Sequence, residues 1–433
     1  MIIFLLFTVF ISAAVMVSPP GGGAYQLPTF NLSQVPPGSK VYLSGVFAGS
    51  FVVDRPVEIV GRGAVLYGNG TVLRIVASDV RVANLTIARC GRTGLDSGIW
   101  VENARNVTIV GISIEECLYP VMVYNSTGVK IVGSNIASFR EVPRVTYGGG
   151  PVAMHELTQY FRGHGVYVWF SRGVVVEGSR FAHVLDGVYC DHAYGLEVVQ
   201  NVFTSGSRYA VHLMYCEGVN IVGNSVRDYV VGFIPMYSSS VVINKNVVVD
   251  IRRVGGAAVV IFESDDVYIC NNIITRNYLG VEHFRSPLRP GGRVVIVNNT
   301  FLYNNIAIKL DSYSTPAIYG NLFIENIRDV LPLFNNGALL YNESLKIGNF
   351  WGVSRGVYVA RQRVFDKLLA DNPHLELFVL TPAFTLLEQL FGVTYPRGGE
   401  LVDKYPISRQ VDISALYIVV AILAVVAYVW SRD

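Results

Sequence analysis

Two of the chain's six methionines, Met214 and Met236, stand 22 residues apart, and His212 precedes the first of them by two residues. Asp191 lies 23 residues before Met214. If the chain repeats extended segments at that interval, these side chains fall on adjacent strands roughly 4.8 Å apart and share one outward face. Two thioethers and an imidazole make a soft donor set that suits Cu(I), whereas a hard cation would need a mostly oxygen shell. Asp191 or its neighbour His192 is the auxiliary candidate. The same stripe also reads as a plain apolar face covered by another segment or by a partner.

The elements that must position these residues are legible in six asparagines. Asn201, Asn224, Asn246, Asn272, Asn299 and Asn321 are separated by 23, 22, 26, 27 and 22 residues, and each follows an apolar position by three. Alternation of period two builds strands, and a break every 22 residues or so marks one coil of a parallel β-solenoid. Asparagine also tolerates a left-handed turn, and residues at one phase would stack on one another.

Overlaying the coils brings Gly165-Val-Tyr-Val-Trp-Phe, Gly187-Val-Tyr-Cys-Asp-His, Ala210-Val-His-Leu-Met-Tyr and Gly232-Phe-Ile-Pro-Met-Tyr into register. The inward positions are Val166, Val168, Val188, Cys190, Val211, Leu213, Phe233 and Pro235, all apolar. Two outward columns result: Met122, Tyr167, Tyr189, His212, Ile234, and Tyr124, Trp169, Asp191, Met214, Met236. An insertion at 141–164, containing Met154 and His155, separates the coil of Tyr124 from that of Trp169. Insertions on solenoids form loops beside functional surfaces, so Trp169, Tyr189, Met154 and His155 are expected to flank or gate the patch.

One elongated all-β domain, 19–350, is therefore expected. Hydrophobic residues make up 51% of the chain and charged ones 15%, with a formal net charge of +2, so no basic face for nucleic acid is implied. Residues 1–18 read as an export signal or an uncleaved anchor. Residues 351–412 form a helical and linker region in which Phe384, Leu387 and Leu390 recur at helical spacing and make an apolar docking face. Residues 413–430 are long and apolar enough for a transmembrane helix, which tethers the solenoid outside the cytoplasm. The five cysteines show no metal-finger spacing, and Cys190 reads as a small buried hydrophobe.

Other motifs are weak. Gly163-His164-Gly165 and Asp265-Asp266 imitate polygalacturonase elements but in the wrong order, so His164 reads as the end of the insertion and the aspartates as a polar turn. Asp191-His192 resembles the Asp-Pro-His-Asp site of alginate epimerases but lacks the proline and the second aspartate, and outward Tyr124, Tyr167, Trp169 and Tyr189 could stack on sugars.

The coils at 41–61, 164–171, 186–189, 209–215 and 232–238 resemble those of the NosD family, as do Gly348-Asn-Phe-Trp-Gly352, Leu380–Leu390 and Leu401–Ile407. The resemblance implies a right-handed single-stranded parallel β-helix. It also implies a non-enzymatic copper-processing role with an ABC-type ATPase and permease in assembling the copper sites of nitrous-oxide reductase. The family's Tyr-Gly-x-His-x-Met-Tyr and Met-Tyr-Ser coils fall on His212, Met214 and Met236. A carbohydrate-active β-helix, lyase or epimerase, and a structural surface solenoid are the rival readings.

Overall fold

The computed structural model describes residues 13–20, 22–140, 162–335, 337–352, 357–363, 365–372, 375, 382–391 and 400–407. A parallel β-solenoid of about twelve coils accounts for most of them. Each coil is three short strands, as in Val188–Asp191, Glu197–Val199 and Val202–Thr204. Strands this short hold because each hydrogen-bonds to the coil before and the coil after, so neighbouring coils within a unit share a core. The chain divides into two compact units, Met1–Asn224 with Asp228–Val241, and Ser225–Arg227 with Val242–Asp433.

In the first unit the register matches the overlay of the sequence. Tyr124, Trp169, Asp191, Met214 and Met236 are paired in succession, as are Met122, Tyr167, Tyr189, His212 and Ile234. Val166, Val168, Val188, Cys190, Val211, Leu213 and Phe233 point inward and are fully buried. Phe181 and Phe203 stack at 4.7 Å inside the same core. The strand Ala14–Ser18 closes this unit's edge, pairing antiparallel with Tyr25–Leu27 and Ser39–Ala48, with Val15 and Val17 buried. The last five residues of the segment read as an export signal are thus a strand of the domain.

The second unit repeats the pattern in Ala257–Phe262, Leu279–Phe284, Ile306–Leu310 and Arg328–Pro332. Its core carries a ring stack, Phe301 on Phe323 at 5.0 Å, Phe323 on Trp351 at 4.4 Å and Trp351 on Tyr358 at 3.6 Å. The asparagines do stack, but not for the expected reason. The left-handed residue is the one before each, such as Gln200, Lys245, Asn271 and Asn298. Each asparagine is buried, and Oδ1 of Asn224, Asn272, Asn299 and Asn321 accepts from the backbone and the side-chain amide of the preceding coil's asparagine, while Asn201 Oδ1 accepts from the Ser179 N–H. Asn272 N and Nδ2 both donate to Asn299 Oδ1 at 2.9 Å, and Asn299 does the same to Asn321. The ladder turns peptide groups that a tight corner would leave unpaired into satisfied ones. It ends at Asn349, whose N–H donates 2.7 Å to the buried carboxylate of Asp403, which also accepts from Trp351 Nε1 at 2.8 Å.

Short helices occur at Asp366–Asp371 and Pro382–Phe391. Among the described residues no helix is long and apolar enough to cross a membrane, and 413–430 lie outside them. Met154, His155 and 141–161 also lie outside. Arg162 marks the insertion's base, donating from Nε to Phe139 O at 2.7 Å and from Nη2 to Arg140 O at 2.6 Å. Gly163 N–H already pairs with Leu118 O, so residues 162–164 belong to the coil rather than to the insertion.

Candidate functional site

The outward face of the first unit centres on Val188–Asp191, Tyr209–Met214 and Val231–Met236. Asp191, Met214 and Met236 are consecutive in register and half-buried, and His212 sits two residues before Met214 on the same side. His212 is 6% exposed, so the patch is less open at the imidazole than an exposed site would be. Met122, outward by register, is fully buried as well.

Beneath the patch lies a polar cluster that the phase argument did not single out. Asp186, fully buried, accepts from Arg208 through both of its oxygens, with Nε at 2.7 Å from Oδ1, and from the Tyr209 N–H at 3.1 Å. His212 Nδ1 is 3.1 Å from Asp186 Oδ2. His164 Nδ1 is 3.2 Å from the same oxygen but out of hydrogen-bonding alignment and without another partner. Burial acts to raise the Asp186 carboxyl, but the Arg208 guanidinium and the two imidazoles override it and hold the group well below the usual carboxylate range. An ionised carboxylate only accepts, so His212 Nδ1 is the donor, and in the neutral form of the ring the lone pair lies at Nε2. That Nε2 is buried and without a protein partner. Imidazoles that ligate metals have this arrangement, with the other nitrogen donating to a carboxylate.

Aromatic rings frame the cluster. Tyr189 lies 4.8 Å from the His212 ring and 4.4 Å from that of His164, and burial, followed by the charge of Asp191, pushes its phenol up to about 12. Trp169 stands one coil from Asp191 and stacks on Tyr167 at 5.8 Å and Phe170 at 5.5 Å. His192 is engaged by Asp191, with Nδ1 2.6 Å from Oδ1. At the turn directly after the outward column, Phe170, His192, Tyr215 and Tyr237 have φ of 46°, 50°, 53° and 50° and stack at 5.2, 4.9 and 5.0 Å. Earlier coils place Asn103 and Asn125 there, joined by a 2.7 Å side-chain bond. Rings in the left-handed region are strained where asparagine is not, and the change occurs in the coils that carry the patch.

Cys190, expected as a plain buried hydrophobe, forms a disulfide with Cys216 in the next coil. Adjacent coils bring two sequence-distant positions to a Cα separation of 6.6 Å, within bridging range. Among the described residues there is no group of three or more His, Cys, Asp or Glu placed to hold a metal ion. Phe384, expected on a docking face, packs against Phe365 at 5.4 Å, while Leu387 and Leu390 are 42% and 62% exposed.

Residues 149–356 match the family described as Periplasmic copper-binding protein (NosD). The chain carries a NosD-family domain. A Pseudomonas aeruginosa protein, the Probable ABC transporter binding protein NosD, is 25% identical over 150 residues, 33% of this chain and 32% of that protein. The matched stretch is thus about a third of that relative's length. Among solved structures, this chain is similar in fold to the A-modules of the Azotobacter vinelandii mannuronan C-5 epimerases AlgE4 and AlgE6. TM-scores are 0.57 and 0.54 at 14% identity, over 70% of this chain and 91% and 89% of theirs. The Streptococcus pneumoniae surface adhesin PfbA follows at TM-score 0.52 and 13% identity, over 66% of this chain and 90% of that one. At such identities the likeness is one of fold alone.

Proposed function

We propose that this chain is a non-enzymatic copper-processing protein outside the cytoplasm, binding Cu(I) transiently as cargo through His212, Met214 and Met236. In this reading it works with an ABC-type ATPase and permease to assemble the copper sites of nitrous-oxide reductase. The observation that carries the proposal is the unpartnered Nε2 of His212, its tautomer set by Asp186, on the same strand face as Met214 and in register with Met236. These donors fit a soft ion: one imidazole lone pair is already stripped of water, and the thioethers beside it bind Cu(I) in preference to hard cations. Few ligands without a thiolate suit an ion that a recipient must extract. Asp191 and His192, paired with each other, act as auxiliaries.

The disulfide supports an oxidising compartment, in agreement with the periplasmic description of the family. In the proposal 413–430 anchors the chain to the cytoplasmic membrane, and Leu387 and Leu390 meet the permease. A sugar-modifying reading lacks an available acid/base pair, because Asp186 is engaged by Arg208 and His212, and Asp265 by Leu288 and Arg289. X-ray absorption at the copper edge on the Cu(I)-loaded full chain tests the donor set. A mixed sulfur and nitrogen shell is expected, and an all-oxygen shell would overturn it.

A further inference from the structure

The turn two residues beyond the outward column carries a second ladder, built from serine. Ala104 N–H donates to Ser126 Oγ at 3.2 Å, Ser126 N–H to Ser171 Oγ at 3.1 Å, and Cys216 N–H to Ser238 Oγ at 3.1 Å. These serines are buried, and each hydroxyl also donates to the carbonyl two residues before it, as Ser171 Oγ does to Trp169 O at 2.9 Å and Ser238 Oγ to Met236 O at 2.8 Å. Each rung fastens one coil to the next at the corner that immediately follows the outward column.

The ladder is interrupted at two successive coils. Ala193 has no side-chain oxygen to offer the coil of Trp169, and position 216 holds a cysteine where the next coil holds Ser238. These are the coils that carry Asp191 and Met214. At the same place the Cys216 sulfur is bonded to Cys190, the inward residue directly before Asp191, and both cysteines are at most 1% exposed. A covalent rung therefore stands where the hydrogen-bonded one is missing. The strand Val188–Asp191 that it pins is only four residues long.

We infer that the Cys190–Cys216 disulfide is a positioning element of the metal face, holding the coil of Asp191 and His192 against that of His212 and Met214. The inference rests on the copper reading above. Its sulfurs point into the core and are no ligands. They act by fixing the strand of Asp191, on whose inward side Cys190 sits, against the corner that directly follows the strand of His212 and Met214. Positioning partners of metal ligands typically change affinity by about 10- to 100-fold when lost.

Two double variants of the full chain separate this role from general stabilisation. Cys190→Val with Cys216→Ser fills the inward position as its neighbours do and restores a hydroxyl that can accept from the Ala193 N–H. Cys190→Val with Cys216→Ala leaves neither the disulfide nor the rung. Cu(I) affinity is read by competition with a chromophoric chelator well below the melting temperature of each protein. The serine variant is expected to stay within about threefold of wild type, and the alanine variant to lose about tenfold or more. Wild-type affinity in both variants, with only a lower melting temperature, would overturn the inference, as would an equal loss in both. If wild type itself binds no Cu(I), the copper reading fails and this inference with it. Should the alanine variant not fold, amide hydrogen exchange in wild-type protein before and after reduction replaces it. Faster exchange centred on 189–193 and 212–216 is expected, and unchanged exchange there overturns the inference.

Discussion

Asp186 Oδ2 accepts a hydrogen bond from His212 Nδ1 at 3.1 Å while Arg208 holds the same carboxylate from the other side. This one contact fixes Nδ1 of His212 as the donor and, in the neutral ring, leaves Nε2 as a buried lone pair. Asp186→Asn should therefore weaken Cu(I) binding by about 10- to 100-fold without removing a ligand. It should also cost about 3 kcal/mol of stability, because Arg208 is left without its counter-charge. Chelator competition and urea unfolding on the same variant check both. Unchanged Cu(I) affinity would show that the tautomer of His212 does not matter to the metal.

The asparagine ladder makes a quantitative demand on the second unit. Asn299 supplies the acceptor for Asn272 N and Nδ2 and donates to Ile269 O, Val297 O and Asn321 Oδ1. Asn299→Ala strands several buried polar groups at once, and unsatisfied groups cost about 1 to 3 kcal/mol each. A loss of about 3 kcal/mol in urea unfolding is expected. A loss below about 1 kcal/mol would mean that water replaces the side chain.

His283 gives the same unit an acid sensitivity. It occupies an inward position in register with Ile261 and Leu310, is 1% exposed, and neither ring nitrogen has a partner. Burial lowers its pKa to about 4, against a smaller opposing pull from Asp311. Between that value and the ordinary one near 6.5, the unfolded chain takes up a proton that the folded chain refuses. Stability is then complete above about pH 6.5 and falls as pH drops toward 4, by roughly 3 kcal/mol in all. His283→Leu should flatten this dependence in urea unfolding at pH 5 and pH 7.5. An unchanged pH slope would place the sensitivity elsewhere.

The exposed Leu387 and Leu390 make a separate prediction about docking. Replacing both with Glu should abolish co-purification with the permease, while the fold, which they do not support, should persist in thermal unfolding. Retention of the permease by this variant would assign the contact to another surface.

Phase was legible in the sequence because a parallel strand tolerates no slip: alternation of Val188, Cys190, Val211 and Leu213 fixes which side chains face out. The Asp186 cluster was missed although its signal lay one residue upstream of the aligned strands, where His164, Asp186 and Tyr209 precede Gly165, Gly187 and Ala210. Glycine at 165 and 187 is required by the next coil's backbone and by the rings of Phe181 and Phe203. A Cβ on Gly187 would sit 2.5 Å from Ala210 O and from the Phe203 ring. Cysteine pairing was not legible either, since it depends on which inward and corner positions of neighbouring coils come within bridging distance. The asparagines were recognised but given the wrong task, because turn tolerance and buried hydrogen bonding favour the same residue.

The most direct measurement is Cu(I) affinity in Met214→Leu and Met236→Leu, each a change of near-constant volume that removes one thioether. Competition with a chromophoric Cu(I) chelator should show one ion bound by wild type and a loss of about tenfold or more in each variant, about 1.4 kcal/mol per decade. Wild-type affinity in both variants would contradict the assignment of this face as the copper site.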